Sequence, residues 1–116
     1  MSKLFLIEEY LSFRESLQFT KKLKNYLSDE NYFELQEFLL ANPTKGDIIQ
    51  GGSGLRKIRW RAAGRGKSGG FRVIYYFANA QGYIYFLDIY VKNEKEDLSK
   101  EQLKELSELA KEWLKQ

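Results

Sequence analysis

The segment Phe71-Arg72-Val73-Ile74-Tyr75-Tyr76-Phe77-Ala78, followed by Asn79-Ala80-Gln81-Gly82 and then Tyr83-Ile84-Tyr85-Phe86-Leu87-Asp88-Ile89-Tyr90-Val91, decides the fold. Both arms are rich in aromatic and β-branched residues, which favour extended backbone. The connection at 79–82 is too short for a crossover, so the two arms predict antiparallel neighbours. Immediately upstream, Leu55–Arg61 alternates: Ile58 and Trp60 fall on one face, and Lys57, Arg59 and Arg61 on the other. The segment Ala62–Gly70 joins it to Phe71, which predicts a three-stranded antiparallel meander with one cationic row.

Helices surround this meander. The last is signalled most clearly, with Ser99 and Gln102 spaced as a capping box and Leu98 and Leu103 as its staple. Leu103, Leu106, Ala110, Trp113 and Leu114 make its apolar stripe. In the first third no glycine precedes Gly46, and the only proline is Pro43. The pattern there predicts a short strand at Lys3–Glu8. A helix then opens at Ser12, with Glu15 completing a capping box and Phe13, Leu17, Thr20, Leu23 and Leu27 on one face. A second helix is capped by Ser28, with Leu27 and Tyr32 as staple and Tyr32, Leu35, Phe38 and Leu39 as its apolar side. It stops at Asn42-Pro43, because the residue before proline avoids the helical region. The predicted order is β-α-α-β-β-β-α. This is an α+β domain in which the two N-terminal helices and the C-terminal helix pack on one face of a small antiparallel sheet, leaving the cationic row on the other.

With 116 residues the chain has the length of one domain, 1–116, and its 43% apolar and 16% aromatic content is ample for a core. Cysteine and histidine are absent. That excludes disulfides, thiolate chemistry and histidine-based triads, and leaves carboxylates as the only side chains for a zinc site. No metal and no cofactor is expected. The apolar run Leu4–Ile7 is too short for a signal-peptide core or a membrane span, so a cytoplasmic protein without membrane contact is expected.

The net charge of +3 hides a strong asymmetry. The 40 residues from Ile48 to Leu87 contain no Asp or Glu but carry seven cations: Arg56, Lys57, Arg59, Arg61, Arg65, Lys67 and Arg72. The remainder holds twelve basic against sixteen acidic residues. A single-sign block of this kind is the footprint of a site for a polyanion, where a solvated face without a partner normally mixes signs.

Gly64-Arg65-Gly66-Lys67-Ser68-Gly69 matches G-x-G-x-x-G, but a dinucleotide site needs a helix after that loop, and a strand follows. Gly66-Lys67-Ser68 mimics the end of a P-loop, but Arg61 occupies the place of its first glycine. Alternating glycine and cation instead suits a loop whose backbone approaches a phosphate that Arg65 and Lys67 neutralise. Arg72 lies among apolar neighbours and needs a partner. Two placements are open: an internal salt bridge to Asp88 on the adjacent strand, or the cationic face beside Lys57 and Arg59. Tyr75, Tyr76, Tyr83, Tyr85 and Tyr90 read mainly as core or sheet-surface residues, with one or two available for base stacking.

Leu55-Arg56-Lys57-Ile58-Arg59, then Arg65-Gly66-Lys67-Ser68-Gly69-Gly70-Phe71-Arg72-Val73-Ile74-Tyr75-Tyr76, then Tyr90-Val91-Lys92-Asn93-Glu94, with the Asn-Pro-x-x-Gly-Asp step at Asn42–Asp47, resemble the HigB branch of the RelE superfamily, toxins of bacterial type II toxin–antitoxin systems. The resemblance runs in order over nearly the whole chain. It implies a RelE-like fold and an endoribonuclease, an mRNA interferase that enters the ribosomal A site and cuts the exposed codon without metal. It also implies a cognate antitoxin partner, often with its own helix-turn-helix DNA-binding domain. The family's strand pair of basic residues carries over to Lys57 and Arg59, its loop cations to Arg65 and Lys67, its arginine in the G-x-R block to Arg72, and its late lysine to Lys92. The RelE branch has an arginine after that lysine, where this chain has Asn93, and a C-terminal tyrosine for proton transfer, whereas no Tyr follows Tyr90 here.

The composition suits that chemistry. RNA carries its own nucleophile in the 2′-OH, and fixed cations can stabilise the charge gained at phosphorus without histidine or metal. On this reading Arg72, Lys67 and Lys92 are the catalytic candidates. Arg72 faces the scissile phosphate and Lys67 or Lys92 moves protons, while Lys57, Arg59, Arg61 and Arg65 hold mRNA and ribosomal RNA phosphates. A non-catalytic RNA- or ribosome-binding module, or a domain whose basic surface meets an acidic protein, would use the same residues.

Overall fold

In the computed structural model, residues 11–61, 70–91 and 97–115 are described. The strand expected at 3–8 and the candidate residues Arg65, Lys67 and Lys92 lie outside them. The described elements are β1 (Ser12–Glu15), α1 (Leu17–Tyr26), α2 (Asp29–Ala41), β2 (Asp47–Ile48), β3 (Arg56–Trp60), β4 (Phe71–Ala78), β5 (Tyr83–Val91) and α3 (Lys100–Leu114). The strands form one sheet in the order β1-β5-β4-β3-β2. The meander β3-β4-β5 is antiparallel, as its short turn requires, and β2 joins β3 antiparallel. The sheet is nonetheless mixed, because β1 pairs with β5 in parallel.

The region 12–16 corrects the sequence expectation. Ser12 does not open a helix: its N–H donates to Gly82 O at 3.0 Å, and Ser16 N–H donates to Phe86 O at 2.9 Å, so this stretch is zipped onto β5. Phe13 stacks on Phe86 at 5.7 Å. Ser16 is the real N-cap, its hydroxyl accepting from Phe19 N–H and donating to Leu87 O at 2.9 Å. Ladder hydrogen bonds and aromatic burial outweigh a local capping signal, whose contribution is about 1 kcal/mol. Leu17, expected on the buried face, starts α1 and is 78% exposed. The Ser28 cap, the stop at Asn42 and the Ser99–Gln102 capping box occur where the sequence puts them.

Side chains alternate across β4, and the alternation separates two cores. Val73 and Tyr75 pack with Phe19, Leu35 and Leu39 of α1 and α2. Ile74 and Ala78 pack with Leu106 and Ala110 of α3. The helices therefore cover both faces, in three layers, rather than sharing one. The C-terminal helix packs on the same face as the cationic row. A β-bulge at Leu87 shifts the β4–β5 register, so that Ile74 faces Asp88 while Tyr75 faces Phe86.

Candidate nucleic-acid interface

Cross-strand partners point to the same side of a sheet, so register alone assembles the cations. Arg59 lies opposite Arg72, and Arg72 opposite Tyr90; one step away, Lys57 lies opposite Ile74 and, on its other side, Asp47. Lys57, Arg59 and Arg72 thus share the α3 side of the sheet. Arg61 is exposed just past the end of β3.

The three strand cations differ in environment. Arg59 is exposed and, among the described residues, makes no ion pair. Lys57 is half-buried, and its Nζ donates to the Asp97 carboxylate at 3.2 Å. Arg72 is only 6% exposed. A guanidinium held at that depth is fixed by its packing, and it acts electrostatically on both neighbours, Tyr90 and Asp97. Burial pushes the Tyr90 phenol up to about 12; the Asp97 charge adds to this, Arg72 opposes it and Asp88 adds again. Tyr90 is therefore a neutral phenol at physiological pH. Burial alone would raise the Asp97 carboxyl. The Lys57 hydrogen bond, the Leu98 N–H and the charges of Lys57 and Arg72 outweigh burial and hold it below its ordinary value.

Asp88, the partner considered for Arg72, pairs with Lys22. Asp88, 2% exposed, accepts from Lys22 of α1 at 2.7 Å and from Ile89 N–H at 2.9 Å. That pair ties α1 to β5. Arg56, counted in the cationic block, is structural: its guanidinium donates to Gly46 O at 2.8 Å and Thr44 O at 3.1 Å. Tyr75 completes this clamp, accepting from Gly46 N–H at 2.9 Å and donating to Pro43 O at 2.8 Å. The clamp delivers Asp47, and with it β2, to the edge beside Lys57.

Lys57 consequently borders two clefts. One, about 420 Å³, lies between β2 and the start of α3 and includes Asp47, Gln50, Asp97 and Leu103. The other, about 330 Å³, opens over the free end of β3 and includes Phe38, Lys45, Arg59 and Trp60. The carboxylates of Asp47 and Asp97 escape sequence reasoning. Asp47 sits on a two-residue strand too short to show a period, and Asp97 reaches Lys57 across 40 residues of chain. Among the described residues no group of three or more metal-ligating side chains occurs, and no helix is long and apolar enough to cross a membrane.

A family model described as the RelE toxin of the RelE/RelB toxin–antitoxin system matches residues 16–116. Among solved structures, a mutant of E. coli toxin RelE in the free state aligns with a TM-score of 0.52 at 15% identity, covering 72% of this chain and 85% of that one. The intact E. coli RelBE toxin–antitoxin complex aligns with a TM-score of 0.49 at 15% identity, covering 66% and 90%. At such identity the free toxin establishes a shared α+β fold.

Proposed function

Because the chain belongs to the RelE toxin family, we propose that it is a ribosome-dependent mRNA endonuclease of the HigB branch, cutting mRNA in the A site and so halting translation in the cytoplasm. The observation that carries this reading is the register that sets Arg72, buried and rigid, beside exposed Arg59 and one step from Lys57. Such a row offers one immobilised guanidinium for a reacting phosphate and flexible cations for its neighbours.

In the proposed reaction the 2′-oxygen of the codon attacks the adjacent phosphorus. The 2′-proton leaves to a base, the P–O5′ bond breaks, and the departing 5′-oxygen is protonated, giving a 2′,3′-cyclic phosphate and a 5′-hydroxyl. Arg72 stabilises the extra negative charge on the non-bridging oxygens, which is worth most in a site shielded from water. Lys67 or Lys92 moves the protons; neighbouring cations favour a neutral lysine able to accept one. Lys57, Arg59, Arg61 and Arg65 hold flanking mRNA and ribosomal RNA phosphates, aligning the 2′-oxygen with the leaving group. No metal or cofactor is required. A cognate antitoxin carrying a helix-turn-helix domain is proposed to cover the cationic face.

The test is a 2′-deoxy substitution at the cleaved nucleotide of a ribosome-bound message. Cleavage should vanish while A-site binding persists. The competing non-catalytic module instead gives salt-dependent binding with no product from either message.

A further inference from the structure

We infer that the cleft between the 50–54 turn and α3 is a second phosphodiester-binding site, which takes the RNA backbone leaving the Lys57 face. This inference rests on the endonuclease reading above and deepens it.

The cleft, about 420 Å³, is walled by Gln50, Gly51 and Ser53 on one side and by Lys100, Lys104 and Lys111 on the other. Spacings of four and seven residues put the three lysines on one flank of the helix. Glu101, Glu105 and Glu112 fall on the next flank, so the two signs are segregated. Glu108 is the one carboxylate that lines the cleft. Among the described residues none of the three lysines makes an ion pair, even with Glu108 in reach of the same space. Three ammonium groups against one carboxylate leave the concavity a net positive charge that attracts an anion.

The opposite wall is preorganised. Gly51, Ser53 and Gly54 all have left-handed backbone, with φ of 77°, 56° and 97°, and Ser53 is the only described non-glycine residue in that region. The turn is pinned at Gly52, whose N–H donates to Ile49 O at 3.0 Å and whose carbonyl accepts from Leu55 N–H and from the buried Ser107 hydroxyl of α3, each at 3.1 Å. At Gly51 a Cβ would meet no atom within 4 Å, so bare backbone faces the opening. A strand of RNA can lie close against it with little further ordering.

Continuity identifies the ligand. Gln50 and Leu103 line both this cleft and the one holding Lys57. A backbone seated on Arg59 and Lys57 therefore passes Gln50, with Asp47 and Asp97 lining the same connecting cleft, to reach Lys100, Lys104 and Lys111. The ligand is a phosphodiester chain of either messenger or ribosomal RNA.

The test compares wild type with the combined variant Lys100→Gln, Lys104→Gln, Lys111→Gln. Two probes are used: a cleavage-resistant 2′-O-methyl RNA oligonucleotide, and ribosomes without message. Three fewer phosphate contacts should lower the slope of log affinity against log salt by about 2 for single-stranded RNA. Cleavage at saturating ribosomes should be unchanged. A slope change with the oligonucleotide assigns the cleft to messenger, and one with empty ribosomes only assigns it to ribosomal RNA; either supports the site. Glu108→Gln should tighten the same binding about two- to fivefold, a gain that misfolding does not produce. Wild-type slopes in the triple variant with both probes would overturn the cleft while leaving the endonuclease reading intact. Unchanged RNA slopes with lost binding of polyglutamate would give it to an acidic protein and overturn it equally. If wild type neither binds nor cuts RNA, both readings fall.

Discussion

Asp97 is an internal competitor for the phosphate that Lys57 is proposed to hold, and Asp97→Asn should release it. The Lys57–Asp97 contact is 3.2 Å, with side chains 32% and 67% exposed. An ion pair this open is worth about 0.2–1 kcal/mol, which converts to about 1.4- to 5-fold in affinity. RNA binding should strengthen by that factor, read by fluorescence anisotropy with a cleavage-resistant oligonucleotide at fixed salt. The fold should survive, because the substituted side chain keeps an oxygen for the Leu98 N–H that now donates at 3.0 Å. The pH dependence follows from the depressed carboxyl. A carboxylate with a lowered folded value keeps its ion pair at every pH above the ordinary carboxylate range and loses it only as pH falls through the lowered value. The ratio of variant to wild-type affinity should therefore be flat from about pH 5 to 8, where an unperturbed Asp is already ionised. Weaker or unchanged binding by Asp97→Asn would refute the competition, and a ratio that climbs across neutral pH would refute the assignment to a carboxylate.

Other expectations concern the scaffold that holds the face. Lys22→Met strands the Asp88 carboxylate, 2% exposed, with a backbone donor alone; discounted for the partial exposure of Lys22, the loss should be about 2–3 kcal/mol by urea unfolding. Tyr75→Phe frees the Gly46 N–H and Pro43 carbonyl from their shared hydroxyl, at about 1–3 kcal/mol, and should lower Tm and loosen β2 in hydrogen exchange. Gly70→Ala places a Cβ 2.8 Å from the Trp60 carbonyl at a φ of +78°; it should cost more than the roughly 1 kcal/mol of left-handed strain alone and unfold at lower urea than wild type.

The meander and the caps of α2 and α3 were legible in the sequence because each rests on contiguous signals: a two-residue period, a short turn, a Ser three residues before the N–H that donates to it. The region at 12–16 was not, because its Ser12 and Glu15 imitate a capping box while the decisive partner, β5, lies 71 residues on. Which side α3 covers was equally hidden, since an amphipathic helix declares that it has a buried face but not which face of a sheet receives it. For the site, the alternation on β3 put Lys57 and Arg59 on one face, as the register has them, whereas Arg72 was left between two placements, and only the β3–β4 register sets it opposite Arg59. The carboxylates were missed: an acid-free stretch of sequence reads as a pure cationic surface, whereas folding returns Asp47 and Asp97 to its border.

The most direct test is the rate of ribosome-dependent mRNA cleavage by Arg72→Ala, mapped by primer extension, with circular dichroism and ribosome binding measured on the same preparation and Arg72→Lys as a second variant that keeps the charge. If the buried guanidinium stabilises the reacting phosphate, both variants should bind ribosomes, and Arg72→Ala should cut about 10²- to 10³-fold more slowly. Arg72→Lys should recover only part of that, since a point charge does not reproduce the planar fork. Undiminished cutting by folded Arg72→Ala would contradict the account.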